Sequence, residues 1–109
     1  MQNNFMLTKE NILAKLKELQ PVFEKEDVKL LGLFGSYSQD EVREDSDIDI
    51  LIETTPKFLD RYIGWDAFTK LDELKDLLKN TFKKNIDIVD KQGLVDHNNT
   101  FILNKVLYV

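Results

Sequence analysis

Two aspartates, Asp47 and Asp49, follow the glycine–serine pair Gly35–Ser36 after ten intervening residues. The segment DIDILIE, which the two aspartates begin, alternates isoleucine with other residues and predicts a strand over Asp47–Glu53. Side chains alternate along a strand, so both carboxylates should share one face, with Cα atoms about 6 to 7 Å apart. Both could then bind one metal ion or two adjacent ions.

A third carboxylate occurs in the segment NIDIVD, which predicts another strand over Asn85–Asp90. The same alternation directs Ile86 and Ile88 towards the core and Asp87 to the opposite face. If the two aspartate-bearing strands are neighbours in the sheet, Asp87 can join the aspartate pair.

Three carboxylates in one place repel one another. At about 4 Å a pair costs roughly 1 kcal/mol in water and about 4 kcal/mol at an effective dielectric of 20, so an empty site should raise a carboxyl pKa. A divalent cation relieves this repulsion, and oxygen ligands without cysteine or histidine suit Mg²⁺ or Mn²⁺. Two such ions about 3.5 to 4 Å apart stabilise the attacking and leaving oxygens of a phosphoryl displacement.

The glycine–serine pair has properties that complement the carboxylates. Gly35 permits a tight turn and close approach of a ligand to the backbone, and Ser36 can cap a short helix while its hydroxyl contacts a phosphate oxygen. Backbone N–H groups at a helix start attract anions. The two features together predict a site for a nucleoside triphosphate.

The remaining sequence supplies elements that can position these residues. An α+β fold with α/β-like features is expected, in which helices flank a small mixed sheet of three or four strands. Apolar spacing predicts a first helix that has Thr8 as its N-cap and that Pro21 disturbs or ends. It also predicts a later helical segment, which is either one long helix or two shorter helices separated near Gly64. The expected order is helix Thr8–Gln20, strand Val28–Phe34, strand Asp47–Glu53, helical Phe58–Phe82, strand Asn85–Asp90, short helix His97–Asn104 and edge strand Val106–Val109.

Length and composition limit the possible classes. A chain of 109 residues, 42% of them apolar, predicts one domain over residues 1–109. Without a membrane-spanning run, a signal sequence or cysteine, it is expected to be soluble and cytoplasmic. The net charge is −5, and seven acids against one base lie within residues 40–53. Binding a nucleic-acid backbone requires an extended basic face, so a nucleic-acid partner is not expected.

Four ring-bearing residues outside these motifs are given structural roles. The aromatic side chains of Tyr62, Trp65 and Phe68 are expected to pack in the core or between helices, with a partner surface as the minority alternative. His97, the only histidine, is assigned no catalytic role.

The Gly35–Ser36 pair, the ten-residue spacing and Asp47-Ile48-Asp49 together resemble the GS-x10-DxD motif of the nucleotidyltransferase superfamily. The short chain, the apolar strand before "LFGSY" and the later "NIDIVD" resemble its minimal nucleotidyltransferase (MNT) members. This resemblance implies a nucleotidyltransferase fold, two Mg²⁺ ions held by Asp47, Asp49 and Asp87, and ATP bound at Gly35–Ser36. It also implies nucleoside monophosphate transfer with release of pyrophosphate.

The resemblance also implies a partner, because minimal members commonly accompany a HEPN-domain toxin as its antitoxin, and some adenylylate a tyrosine of that toxin. Many relatives carry a small residue, a base and a glycine soon after the Gly-Ser pair, whereas this sequence has Tyr37-Ser38-Gln39-Asp40. Two alternatives therefore stay open: an antitoxin that neutralises its partner by binding alone, and nucleotidyl transfer to a small molecule.

Overall fold

The helices and strands follow the predicted order over most of the chain. The computed structural model describes residues 7–35, 47–96 and 105–109. Within these ranges the elements are α1 (Lys9–Glu24), β1 (Val28–Phe34), β2 (Ile48–Thr54), α2 (Pro56–Arg61), α3 (Trp65–Phe82), β3 (Ile86–Asp90), α4 (Lys91–Asp96) and β4 (Leu107–Tyr108).

The described strands form one mixed sheet in the order β3-β2-β1-β4. β1 runs antiparallel to both β2 and β4, whereas β2 and β3 are parallel neighbours. The parallel pair is joined by a crossover that contains α2 and α3, because parallel strands cannot be joined by a tight turn. The prediction of a mixed α+β fold, and the adjacency on which the role of Asp87 depended, are both confirmed.

The main hydrophobic core lies on one face of this sheet. The alternating isoleucines Ile48, Ile50 and Ile52 are all buried there, as their spacing predicted. α1 and α3 contribute the apolar residues of one helical face each: Ile12, Leu16, Phe23, Leu74, Leu78 and Phe82. Each fully buried aliphatic or aromatic side chain contributes about 1.5 to 3 kcal/mol, so this face dominates the stability of the fold.

A second, smaller hydrophobic cluster lies on the aspartate-bearing side of the strands. Leu51 is fully buried there together with Val106, and Leu31, Phe34 and Val89 pack against them. β4 passes so close to β1 that a Cβ atom on Gly32 would overlap the carbonyl oxygen of Leu107. This face is therefore partly a second core, and the rest of it carries the aspartates.

α1 continues through Pro21 to Glu24, so of the two effects expected of this proline, disturbing or ending the helix, the second is wrong. Proline removes one backbone hydrogen bond and costs about 3 kcal/mol in a helix interior. Two contacts offset that cost: Phe23 is fully buried in the last turn, and the Gln20 side chain donates a hydrogen bond to the carbonyl of Leu30 at 3.1 Å.

The helical segment after β2 is two helices rather than one. α2 ends at Arg61, and Gly64 then takes a φ of +62°, a conformation that glycine adopts readily and other residues rarely adopt. The two-helix alternative is confirmed. No helix in the described ranges is both long and apolar enough to cross a bilayer.

The aromatic residues at this break do not behave alike. Tyr62 is half-buried and packs against the main core, as expected. Trp65 and Phe68, however, are 83% and 65% exposed, so the prediction that they pack in the core was wrong. Helical spacing places Trp65 on the side of α3 opposite the buried Leu74, whereas Phe68 lies only about 80° around the helix axis from Leu78 and is exposed all the same.

The C-terminal part departs from the expected pattern. Helix α4 was not predicted from the sequence pattern. It follows β3 directly, and Oδ1 of Asp90 caps it by accepting a hydrogen bond from the N–H of Gln92 at 3.1 Å. The helix predicted over His97–Asn104 lies outside the described residues. The predicted edge strand is present as β4, shortened to two residues.

Candidate active site

The three predicted acidic residues lie at one end of the sheet. β1 ends at this end, and β2 and β3 begin there, because β1 is antiparallel to β2 and β3 is parallel to it. Asp47 immediately precedes β2, Asp49 is its second residue and Asp87 is the second residue of β3. Gly35 immediately follows β1. The topology therefore brings residues from distant parts of the chain to the same end of the sheet.

Strand register places two of the carboxylates side by side. Asp49 pairs with Asp87 across the parallel strands and with Phe34 across the antiparallel strands. Paired residues on adjacent strands project from the same face of a sheet, so Asp49 and Asp87 project together. The prediction that Asp87 can join the aspartate pair is borne out in register.

A β-bulge in β1 determines which residues of this strand face Asp49 just before the Gly35 turn. The register shifts between Leu30 and Gly32, which leaves Leu31 as the additional residue. After the bulge, Leu33 pairs with Ile50 on the core face and Phe34 pairs with Asp49 on the site face. Without the extra residue the two would exchange faces. The glycine after two leucines within a strand was the sequence signal for this bulge, and it was missed.

Gly35 is required at its position for two reasons. Its φ is +74°, in the left-handed region that favours glycine. A Cβ atom there would also overlap Oδ2 of Asp49 and lie 3.0 Å from its Cγ. The glycine of the motif is thus in direct contact with an aspartate of the motif. This contact explains why a side chain is excluded from the turn.

The electrostatics of Asp49 show the expected conflict between neighbouring acids. The pKa of Asp49 is raised from 3.8 to about 6, and burial is the largest cause of this rise. The negative charges of Asp87 and then Asp47 contribute in the same direction. A hydrogen bond between the carboxyl groups of Asp49 and Asp87 adds to the shift, because it requires a proton on one of them. A cation between these groups would take the place of that proton.

The side-chain oxygens at this end of the sheet are of the kind that binds a hard divalent cation. All three candidate groups are carboxylates, the ligands that Mg²⁺ prefers. Both Asp47 and Asp87 are exposed and act electrostatically on Asp49. Among the described residues, no three acidic or histidine side chains converge tightly enough to form a ready-made metal cage. The carboxylates are therefore adjacent but not fully assembled around a single point.

Ser36, the predicted phosphate contact, and His97 are outside the described residues. Asp90 ends the same strand as Asp87, but its carboxylate projects from the core face and accepts a hydrogen bond from Oγ1 of Thr54 at 2.6 Å. Asp90 therefore holds two strand ends together and takes no part in the site.

This combination of a glycine turn and carboxylates on adjacent strands is suited to binding a metal-complexed phosphate ester, and it defines a phosphoryl- or nucleotidyl-transfer protein. Residues 17–108 match the family described as "Polymerase beta, Nucleotidyltransferase". The chain belongs to this family and is a nucleotidyltransferase enzyme.

The names of similar proteins are consistent with this family assignment. The chain is 36% identical over 110 residues to the protein adenylyltransferase MntA of Thermococcus cleftensis, covering 95% of this chain and 98% of the relative. It is 34% identical over 89 residues to a candidate protein adenylyltransferase of Methanocaldococcus jannaschii, covering 75% and 92% of the two chains.

A solved structure described as a minimal nucleotidyltransferase has the same fold. It superposes with a TM-score of 0.71 at 21% identity and covers 98% of this chain and all of its own. The expected fold class, a minimal nucleotidyltransferase domain, is therefore confirmed.

Proposed function

We propose that this nucleotidyltransferase transfers AMP from ATP to a hydroxyl group of a protein. The observation that carries this proposal is the pairing of Asp49 with Asp87 on adjacent strands, with Gly35 in contact with Asp49. The name of its Thermococcus relative supports a protein as the acceptor. A cytoplasmic location would supply both ATP and Mg²⁺.

Asp47 and Asp49 would hold two Mg²⁺ ions, and Asp87 would contact the ion nearer the acceptor. When bound, the ions would neutralise charge on the triphosphate and on the attacking and leaving oxygens. Gly35 and Ser36 would bind the triphosphate, Gly35 by leaving the backbone open to close approach and Ser36 through its hydroxyl.

In the transfer step, the acceptor oxygen forms a bond to the α-phosphorus of ATP. The bond between that phosphorus and the bridging oxygen of the β-phosphate breaks, and pyrophosphate leaves with the electron pair. The acceptor proton passes to the carboxylate of Asp87, which acts as the general base and later releases the proton to water. Asp87 is exposed, so a hydroxyl on a separate molecule can reach it.

The acceptor we favour is a tyrosine of a cognate HEPN-domain toxin, which would make the chain an antitoxin. The three carboxylates lie at one end of the sheet, and two of them are exposed to solvent. This exposure suits an acceptor hydroxyl that another protein carries. A small-molecule acceptor is the less favoured alternative, and it predicts transfer in the absence of any protein partner.

The test is AMP transfer to the purified HEPN-domain partner with ATP and Mg²⁺, followed by mass spectrometry of the partner. We expect one or more AMP additions on tyrosine, and loss of labelling in Asp47→Asn/Asp49→Asn without loss of the fold. Parent-rate labelling by the double variant would show that the catalytic assignment is wrong.

Neutralisation by binding alone is the second candidate, and the sequence Tyr37-Ser38-Gln39-Asp40 favours it, because a base that could face the phosphates is missing there. The same mass-spectrometric experiment separates the two functions. Tight binding of the partner without any added AMP would identify a blocker rather than an enzyme acting on that partner.

A further inference from the structure

Four large apolar side chains are exposed within one short segment at the junction of α2 and α3. We call them the junction patch: Leu59, Ile63, Trp65 and Phe68, which are 60%, 74%, 83% and 65% exposed. The rings of Trp65 and Phe68 lie 5.7 Å apart between centroids. Trp65 and Phe68 therefore form a paired aromatic surface rather than two isolated side chains.

The junction patch lies away from the carboxylates. β2 begins at the site and runs through Thr54 to α2, so the patch lies beyond the opposite end of the sheet. Seven strand residues span roughly 20 Å. A molecule bound at the patch can therefore act on the site only if it is large enough to reach both, as a protein is.

The backbone under the junction patch is firmly held. The hydroxyl of Tyr62 donates a hydrogen bond to the Glu26 carboxylate, and Nη1 of Arg61 donates one to the carbonyl of Lys25 at 2.9 Å. Lys70 lies 3.6 Å from the same Glu26 carboxylate. A surface fixed in this way needs little ordering on binding, which favours affinity.

Charges around the junction patch indicate what can bind there. The basic residues of segment 59–72, Arg61 and Lys70, are held in ion pairs with neighbouring acids. Asp60, Asp66 and Asp72 are exposed and make no ion pair within the described part of the chain. Within segment 59–72, the charges that are not held in ion pairs are therefore all acidic. A second copy would bring the same acids and repel, whereas a base-rimmed apolar surface would be complementary.

The size of the junction patch points the same way. Four side chains at these exposures present roughly 500 Å² of apolar surface, at the upper end of what a typical monomer exposes in one patch. A stable interface needs about 800 Å² per partner. The patch alone is thus too small for a permanent dimer and is suited to transient docking, with Trp65 as its anchor.

We propose that the junction patch docks the acceptor protein through an apolar surface rimmed by Lys and Arg, and so holds it for transfer at the distant carboxylates. This inference rests on the proposed protein acceptor. It adds a binding site that lies outside the catalytic end of the sheet.

The test measures docking and transfer separately, with the HEPN-domain partner as the probe. Trp65→Ser/Phe68→Ser should raise the KM for the partner at least tenfold and leave kcat and ATP binding within twofold of the parent. Asp66→Lys/Asp72→Lys should raise KM in the same direction. Val22→Ser, at an exposed apolar residue of α1, and Asp76→Lys, one helical turn beyond Asp72, are the matched controls and should change neither constant.

Calorimetry with the Asp47→Asn/Asp49→Asn chain reports docking without turnover. Loss of partner binding on adding Trp65→Ser/Phe68→Ser supports the inference even if the parent transfers no AMP, in which case only the proposed function fails. Binding unchanged by these substitutions, or absent in the parent, overturns it. Dimerisation of the isolated chain through Trp65, seen by sedimentation velocity, also overturns it.

Discussion

The two ends of the sheet differ in how their exposed side chains are held. At the carboxylate end, Asp49 is crowded by other acids and by the Gly35 turn, and its pKa is raised to about 6. At the junction end, charges are paired around Tyr62, and large apolar groups such as Trp65 face outward. Repulsion between acids is left unrelieved where we propose that a cation binds, whereas apolar surface is left uncovered where we propose that a protein docks. Each end is incomplete without a different kind of partner.

The largest effects are expected for Asp49→Asn, which should lower activity and raise stability. Asp49→Asn should lower AMP transfer by about 10³-fold or more, because it removes a ligand charge shared by both proposed ions. In chelator, the same variant should be more stable than the parent at pH 8 by on the order of 1 kcal/mol, after allowance for solvent screening.

The pH dependence of that difference follows from the raised pKa. The folded parent binds its Asp49 proton more tightly than the unfolded chain does, so the parent loses stability as pH rises from 3.8 to about 6 and loses no more above that. Thermal melts of both proteins in chelator across pH 4 to 8 test this. An equal difference at pH 4 and pH 8 would contradict it.

Adding a methyl group to the turn should damage the same end by geometry alone. Gly35→Ala places a Cβ atom against the Asp49 carboxylate at a φ of +74°, so we expect a loss of about 1 to 2 kcal/mol and of about 10²-fold in transfer. Gly93→Ala is the matched control, since a Cβ atom there meets nothing within 4 Å. Melts and transfer assays should show the difference between the two glycines.

At the junction end, substitutions should have little effect on the isolated chain. Trp65→Ser/Phe68→Ser should change the free energy of unfolding by no more than about 0.5 kcal/mol per site, because both side chains are largely exposed. Chemical denaturation of the metal-free chain measures this. A loss of several kcal/mol would mean that these rings support the fold and would weaken the contrast between the ends.

The smallest expected effect concerns the ion pairs beneath the junction patch. The hydrogen bond from Tyr62 is the main cause of a lowered Glu26 pKa, so Tyr62→Phe should raise that pKa towards 4.5. The stability contributed by ionised Glu26 is present above pH 4.5 and is lost as pH falls through its folded pKa. NMR titration of Glu26 in both proteins measures the shift. An unchanged pKa would assign the effect to Lys70 and Arg61 instead.

Local pattern was sufficient to predict much of the site. The alternation of isoleucine with aspartate indicated strands β2 and β3 and, within each strand, which residues face away from the core, because the strand period is two residues wherever the strand lies. The spacing from Gly35–Ser36 to Asp47 indicated the family, which the comparison with known proteins then confirmed. The roles of the three aspartates as metal ligands, and of Gly35–Ser36 as the nucleotide site, stay predictions.

Only the tertiary structure decided which elements meet. The register of Asp49 with Asp87, the bulge at Leu31 and the contact of Gly35 with Asp49 depend on pairing between distant segments, which a single sequence does not encode locally. The exposure of Trp65 was decided in the same way, because helical spacing gives a face but not what covers it. The sequence by itself determined the chemistry available, and packing determined where that chemistry is brought together and which apolar surface remains open.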